Sequence, residues 1–403
     1  MATPTLKAKK VKKEKEPLDL DLQNTEVAFA DKSNSELRRR YWLFKMLNSE
    51  TLNSFGTTMA ELSLRWHLPI KWAIKATIFN HFCGGETIEE CESTVETLAK
   101  SKIGAILDYS VEGRYEEEDF GRTKDEIIRT IKRAADDDRV PFAVFKVTGI
   151  APLGTLEKVS SETELTDKGK WKWERIQSRI DDICKYAHSV NQQLFIDAEE
   201  TWIQNAIDQL VTEMMEKYNR ERPLVFNTFQ LYRHDRLEFL KKSHQIAREK
   251  GYFYAAKLVR GAYMEKERER AAEMGYESPI QPDKAATDRD YDLALKYCLD
   301  NDIAVVCASH NEESNHYLAQ LLSEKGLPNN HHNAFFSQLY GMSDNLSYNL
   351  ARAGYNVSKY VPYGPIKDTI PYLIRRAEEN TSVKGQMSRE LELITKELKR
   401  RKL

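Results

Sequence analysis

The chain is poor in cysteine and has no paired pattern of it. Its five cysteines, Cys83, Cys91, Cys184, Cys298 and Cys307, are odd in number, widely spread and free of any CxxC pair. That argues against a disulfide framework or a zinc site and for free thiols in a reducing compartment. No run approaches the ~20 apolar residues that span a bilayer, and the first residues lack the apolar core of a secretion signal. Charge of either sign is not in excess: 61 basic and 63 acidic residues leave a net charge of −2, which supplies no global attraction for nucleic acid. Several motifs are missing as well. No GxGxxG dinucleotide fingerprint follows an apolar run, and there is no GxSxG. GIAPLGTL has P-loop glycines without the lysine. His310, His316, His331 and His332 have no recognised zinc spacing.

What is present describes a globular protein with a full core, at 41% hydrophobic and 31% charged residues. The ends differ from the middle. Residues 1–16 carry six lysines and two glutamates in KAKKVKKEKE and read as a disordered basic tail. In residues 381–403, Leu391, Ile394 and Leu398 share one helical face ahead of a basic end. That spacing predicts a docked terminal helix, with a membrane-surface helix as the other reading.

Between these ends a short apolar run followed by a helical stretch recurs eight times. The runs are GAILDYS (104–110), FAVFKVTGI (142–150), QLFIDAEE (193–200), LVFNTFQLY (224–232), FYAAKLVRG (253–261), IAVVCASHN (303–311), NAFFSQLYG (333–341) and NVSKYVPYG (356–364). Each is rich in β-branched or aromatic residues and bounded by polar, glycine or proline signals, as a buried strand should be. Strands alternating with helices pair in parallel, and eight units over 101–380 fit an α/β fold of the (β/α)8 TIM-type, which takes roughly 250 residues. Residues 17–100, including TTMAELSLRWHLPIKWAIKATIFNHF and the break at CGGET, read as an N-terminal helical arm on the barrel.

Catalytic groups of such barrels sit at the C-terminal ends of strands, and polar residues gather there. Lys146 lies in strand two, Asp197 in strand three, Gln230 in strand four, Lys257 and Arg260 in strand five. Ser309, His310 and Asn311 end strand six, and Tyr360 is in strand eight. A lysine in an apolar strand is costly unless it is paired or faces a cavity. In YLIRRAEEN, Tyr372, Arg375, Arg376 and Glu379 share a helix face. Lys146, Arg375 and Arg376 together would form a nest for a small carboxylate, with Tyr360 and Tyr372 as flat walls.

YLIRRAEEN, AKLVRGAYMEKERE, FIDAEE, FAVFKVTG and ASHNEES together resemble the proline dehydrogenase family, over about residues 100–380. The resemblance implies a distorted (β/α)8 barrel that binds FAD without the glycine fingerprint. It implies oxidation of L-proline to 1-pyrroline-5-carboxylate, with hydride transfer from C5 to flavin N5. Lys146, Arg375 and Arg376 would bind the carboxylate, and Tyr263, Leu339, Tyr360 and Tyr372 would enclose the ring. Asp197 and Gln230 would lie at the flavin, with Asp197 and Lys257 as the catalytic pair. Lys257 stands where many bacterial relatives carry arginine. Arg260, Gly261, Ala262, Ser309, His310, Asn311 and Glu379 would hold the rest of the FAD. A membrane quinone as electron acceptor, peripheral membrane contact and a pyrroline-5-carboxylate dehydrogenase partner are also implied. The expected location is the cytoplasm or bacterial inner membrane, or the mitochondrion in a eukaryote. Tyr360 would crowd a hydroxyl at C4, which favours proline over hydroxyproline. The rivals are a Schiff-base aldolase using Lys146 or Lys257, and a non-catalytic binder using the basic tails.

Overall fold

A computed structural model describes residues 20–47, 75–111, 116–382 and 386–403. The expected basic tail and residues 17–19 and 48–74 of the expected arm lie outside these residues. Eight parallel strands close into a barrel in sequence order. They are β1 (Ile103–Tyr109), β2 (Phe142–Lys146), β3 (Leu194–Asp197), β4 (Val225–Gln230), β5 (Ala255–Val259), β6 (Ala304–Ala308), β7 (Ala334–Leu339) and β8 (Val357–Tyr363). All eight expected strands are present, and each ends earlier than its apolar run does. Arg260 and the Ser309-His310-Asn311 triplet therefore sit in the loops just past β5 and β6. Lys146 likewise hands over to a short 3-10 turn, Val147–Gly149. β1 and β8 make the seam, with seven paired residues from Ile103↔Val357 to Tyr109↔Tyr363.

Strand side chains alternate faces, and one parity points inward. Phe142, Phe195, Phe226 and Phe335 come from β2, β3, β4 and β7, yet they meet. Phe142 stacks on Phe195 at 4.3 Å and sets its edge against Phe226 at 5.7 Å and Phe335 at 4.8 Å. Rings from strands on opposite sides can touch only through the barrel's interior. They plug its N-terminal end and leave the free space at the other. Two residues further along the same parity are Asp197, Thr228, Lys257, Ser337 and Tyr360. The Lys257 ammonium lies 5.3 Å from the Phe195 ring centre, directly above the plug.

A second apolar cluster lies outside the barrel. Phe29, Phe44, Phe79 and Phe82 from the N-terminal arm meet Leu393 and Ile394 of the helix Gln386–Arg400 and Tyr372 and Leu373 of the helix Ile366–Ser382. The expected terminal helix is thus docked, with Leu391 and Leu398 packed at the cluster's edge. Buried charge reinforces the joint. Lys359, fully buried on the outward face of β8, lies 2.9 Å from Asp344, which Arg40 of the arm reaches at 2.7 Å. A buried ion triad of this kind adds little net stability, but removing any one member would leave an uncompensated buried charge. All five cysteines are free and buried.

Candidate active site

Above the phenylalanine plug, the inward residues of β2, β3, β5 and β8 form one hydrogen-bonded group. Lys146 and Asp197 are register partners across β2 and β3. Asp197 is its centre: Oδ1 is 2.5 Å from Lys257 Nζ, and Oδ2 accepts from the Tyr360 hydroxyl at 2.8 Å and lies 3.9 Å from Lys146 Nζ. Lys146 Nζ also lies 3.2 Å from the Tyr360 hydroxyl and 3.2 Å from Asp108 Oδ2. Burial alone would raise the Asp197 carboxyl. The charges of Lys257 and Lys146 and the bonds from Lys257 and Tyr360 outweigh it and hold Asp197 below the usual carboxylate range. The Tyr360 hydroxyl is pushed well above the ordinary phenol value by burial and by Asp108 and Asp197, so it stays a neutral donor.

This group forms the floor of a cavity of about 530 Å³. Arg375 and Arg376 enter from the helix Ile366–Ser382, whose position is set by the second apolar cluster. Arg376 is buried and lies over the Tyr372 ring at 5.1 Å, and Arg375 lies 6.0 Å from the Tyr263 ring centre. Lys146, Lys257, Arg375 and Arg376 thus face two carboxylates, Asp197 and Asp108, leaving this end with an excess of positive charge. Tyr263, Leu339, Met342, Tyr360 and Tyr372 give it apolar walls. A small molecule with one carboxylate and an aliphatic body has its charge and its surface matched here.

The cavity's other end is polar and tightly cross-linked. Arg260 donates to Asp288 at 2.7 Å, Ser309 at 2.6 Å and Ser314 at 2.9 Å, and stacks on Tyr291 at 4.4 Å. Gln338 donates to the Ser309 carbonyl at 3.1 Å, and Asn311 caps the helix Glu312–Glu324. Gly261 has φ +134°, and a Cβ there would lie 2.6 Å from the Tyr232 ring, so only glycine lets the chain pass between that ring and the cavity. His310 donates to or accepts from Ser343 at 2.8 Å, and burial with nearby Lys359, Arg376 and Arg260 lowers its pKa to about 3. A long cavity with an apolar, aromatic-walled end and a cation-bearing polar end has the donor set for a planar ring system carrying phosphates.

Of the expected site residues, Lys146, Asp197, Gln230, Lys257, Arg260, Gly261, Ala262, Tyr263, Ser309, His310, Asn311, Leu339, Tyr360, Tyr372, Arg375 and Arg376 all line this one cavity. The side chain of Glu379 lies outside the described residues. Several lining residues were not foreseen, among them Thr228, Lys284, Gln338 and Arg389. Asp108 was also missed, although a buried acid in the apolar run GAILDYS is the same signal that marked Asp197. Beside the floor, Glu199 is buried and accepts from the Thr148 backbone amide at 3.0 Å and from its hydroxyl. Burial, then Glu200, pushes it up to about 7.

The family model described as proline dehydrogenase matches residues 91–389. The mitochondrial proline dehydrogenase 1 of Dictyostelium discoideum is 32% identical over 95% of this chain and 75% of its own length. The carbapenem antibiotics biosynthesis protein CarD of Pectobacterium carotovorum subsp. carotovorum is 36% identical over 79% of this chain and 83% of its own. Among solved structures, proline utilization A from Bdellovibrio bacteriovorus, inactivated by N-propargylglycine, superposes with a TM-score of 0.70 at 19% identity. That match covers 88% of this chain and 38% of the solved one, and supports the same fold.

Proposed function

Since the chain belongs to the proline dehydrogenase family, we propose that it oxidises L-proline to 1-pyrroline-5-carboxylate, with FAD as its cofactor. The observation that carries this reading is the cation-rich, tyrosine-walled end of the cavity, with Lys146, Arg375 and Arg376 around an aliphatic space. Two guanidinium groups and an ammonium would fix the substrate carboxylate, each charge-assisted bond contributing about 1.5–3 kcal/mol. Tyr360, Tyr372 and Leu339 would close around the ring and keep water from it. Gln230, Arg260, Gly261, Ala262, Ser309, His310 and Asn311 would hold the cofactor, with Glu379 as a further candidate.

FAD bound there supplies a two-electron acceptor. Oxidation removes one hydrogen with its electron pair from proline C5 and one proton from the nitrogen, leaving C=N. Lys257 is the residue whose charge would favour electron arrival, and Asp197 holds it upright through the 2.5 Å pair. A carboxylate kept below its usual range is a poor base. Asp197 is therefore a positioning residue in this scheme, and the amine proton leaves through another route. The Schiff-base aldolase is less well supported, because both candidate lysines are tied to carboxylates, Lys257 to Asp197 and Lys146 to Asp108. Hydroxyproline is disfavoured because Asp197 and Lys146 pin the Tyr360 hydroxyl and stop the ring from swinging aside.

Electrons would pass to a membrane quinone and the product to a pyrroline-5-carboxylate dehydrogenase. The enzyme would then work at a membrane surface, bacterial or mitochondrial, through peripheral contact. No helix among the described residues is long and apolar enough to cross a membrane. The test is the visible absorbance of the purified protein before and after anaerobic L-proline. A flavin band that bleaches with proline, and fails to bleach in the Arg375→Met/Arg376→Met variant, is the expected result. A flavin band indifferent to proline would remove the substrate, and a protein that cannot be loaded with FAD would remove the cofactor.

A further inference from the structure

The helix Gln386–Arg400 lies outside the barrel, yet one of its residues lines the cavity and the next is bonded behind the wall. Arg389 lines the cavity and forms an ion pair with Glu312 on the first turn of the helix Glu312–Glu324. Glu390 accepts from the Ser343 backbone amide at 2.6 Å, and Ser343 in turn bonds His310. The helix is held in place by Leu393 and Ile394 in the second apolar cluster, and by Arg401 donating to the carbonyls of Lys32 and Phe29 at 2.7 Å each.

The charge at this end of the cavity is mixed. Arg260, Lys284 and Arg389 line it together with Glu312 and Glu313, and behind the wall Asp288 is bonded to both Arg260 and Lys284 while Asp292 accepts from Ser314. Without Arg389 two cations would face four carboxylates, and an anionic group would meet net repulsion. The other Glu312 oxygen accepts from the Gln23 side-chain amide at 3.1 Å, a neutral donor. The Arg389–Glu312 pair is only partly shielded, at 35% and 21% side-chain exposure, so added salt should weaken the effect.

Resting on the FAD reading above, we propose that Arg389 is a cofactor-binding residue supplied by a helix outside the barrel. Its charge cancels Glu312 and so admits the phosphates of the dinucleotide to this end. The C-terminal helix is then part of the binding site as well as a support for the fold.

The test is titration of the apoprotein with FAD, followed by flavin fluorescence, in the wild type and in R389Q, E312Q and the R389Q/E312Q double variant. R389Q is expected to weaken binding by about tenfold or more, ~1.4 kcal/mol. E312Q should bind at least as tightly as the wild type, and the double variant should recover most of the loss. Riboflavin, which has no phosphate, should be insensitive to R389Q. If R389Q binds FAD like the wild type, Arg389 has no such role. A double variant as weak as R389Q, or an E312Q weaker than the wild type, would mean that the pair acts only as a mechanical fastening, and would overturn the charge argument. A wild-type protein that never binds FAD would sink the cofactor reading and this proposal with it.

Discussion

Asp197 collects more of the site's geometry than any other residue. It is only 7% exposed, and it holds Lys257, Tyr360 and Lys146 from three other strands. Asp197→Asn keeps the volume but leaves a buried ammonium without its counter-ion. Breaking such a pair costs roughly 3–5 kcal/mol, so the urea midpoint should drop clearly, and proline-dependent flavin reduction should slow with it. An unchanged midpoint would show that the lysines find other partners. Tyr360→Ser should raise kcat/KM for 4-hydroxyproline relative to proline by about tenfold or more. An unaltered ratio in steady-state assays would free Tyr360 from any part in specificity. At this scale the sequence was most legible where a charge interrupts a period-two apolar run, as at Lys146, Asp197 and Lys257. Lys359 is equally buried but has the opposite parity and serves the outer joint with Asp344, so a charge in a strand does not by itself say which face it occupies. Arg389 was invisible, because nothing local marks which arginine of a basic amphipathic helix will turn toward a distant cavity.

The elements were legible in kind, and their ends less so. Parallel pairing and alternation followed from the eight apolar runs, but the runs continue past the last paired residue, as Val147, Leu231 and Arg260 do. Backbone direction there is set by tertiary contacts. Gly341 is one such place: it has φ +81°, and a Cβ would lie 2.4 Å from the His81 carbonyl oxygen and 3.0 Å from Phe82. Gly341→Ala should therefore destabilise by well over ~1 kcal/mol, more than the usual left-handed penalty alone. Because the loop from β7 leads into Met342 and Ser343, it should also weaken substrate and cofactor binding. Thermal unfolding and FAD titration would check both, and a variant matching the wild type in each would show that the arm can retreat. The helix Gln386–Arg400 makes a parallel case: Ile394→Asp, at a 1%-exposed position, should lower the melting temperature and FAD affinity together.

For the whole molecule, buried titratable groups set the pH dependence of stability. Burial, with Arg40 close to one and Lys359 and Arg376 close to the other, lowers His81 and His310 to about 3. Both are neutral when folded, while the unfolded chain takes up protons below ~6.5. Their contribution is therefore present above that pH and is lost as pH falls through the window from 6.5 to 3, at up to ~1.4 kcal/mol per unit for each. Glu199, pushed up to about 7, runs the other way: its contribution is lost as pH rises from the unfolded value near 4.5 to 7. Glu267, Asp292 and Glu390, also raised by burial, act in the same sense as Glu199, so each group is read from its own variant. Between pH ~4.5 and 6.5, urea unfolding of His81→Gln should lose stability less steeply than the wild type as pH falls, and Glu199→Gln more steeply. Variant profiles parallel to the wild type's would mean that these groups titrate alike in both states.

The docking of the helix Gln386–Arg400 against the arm also bears on the order in which the protein is made. Every barrel strand, and the arm itself, leaves the ribosome before Arg375, Arg376, Arg389 and Glu390 do. At ~5–20 residues per second, the stretch from Tyr363 to Arg401 takes a few seconds. During that interval the phenylalanine plug and the seam between β1 and β8 can form, while the cavity still lacks most of its guanidinium charge. Three of the four arginines that line the cavity are thus the last of its lining to be made.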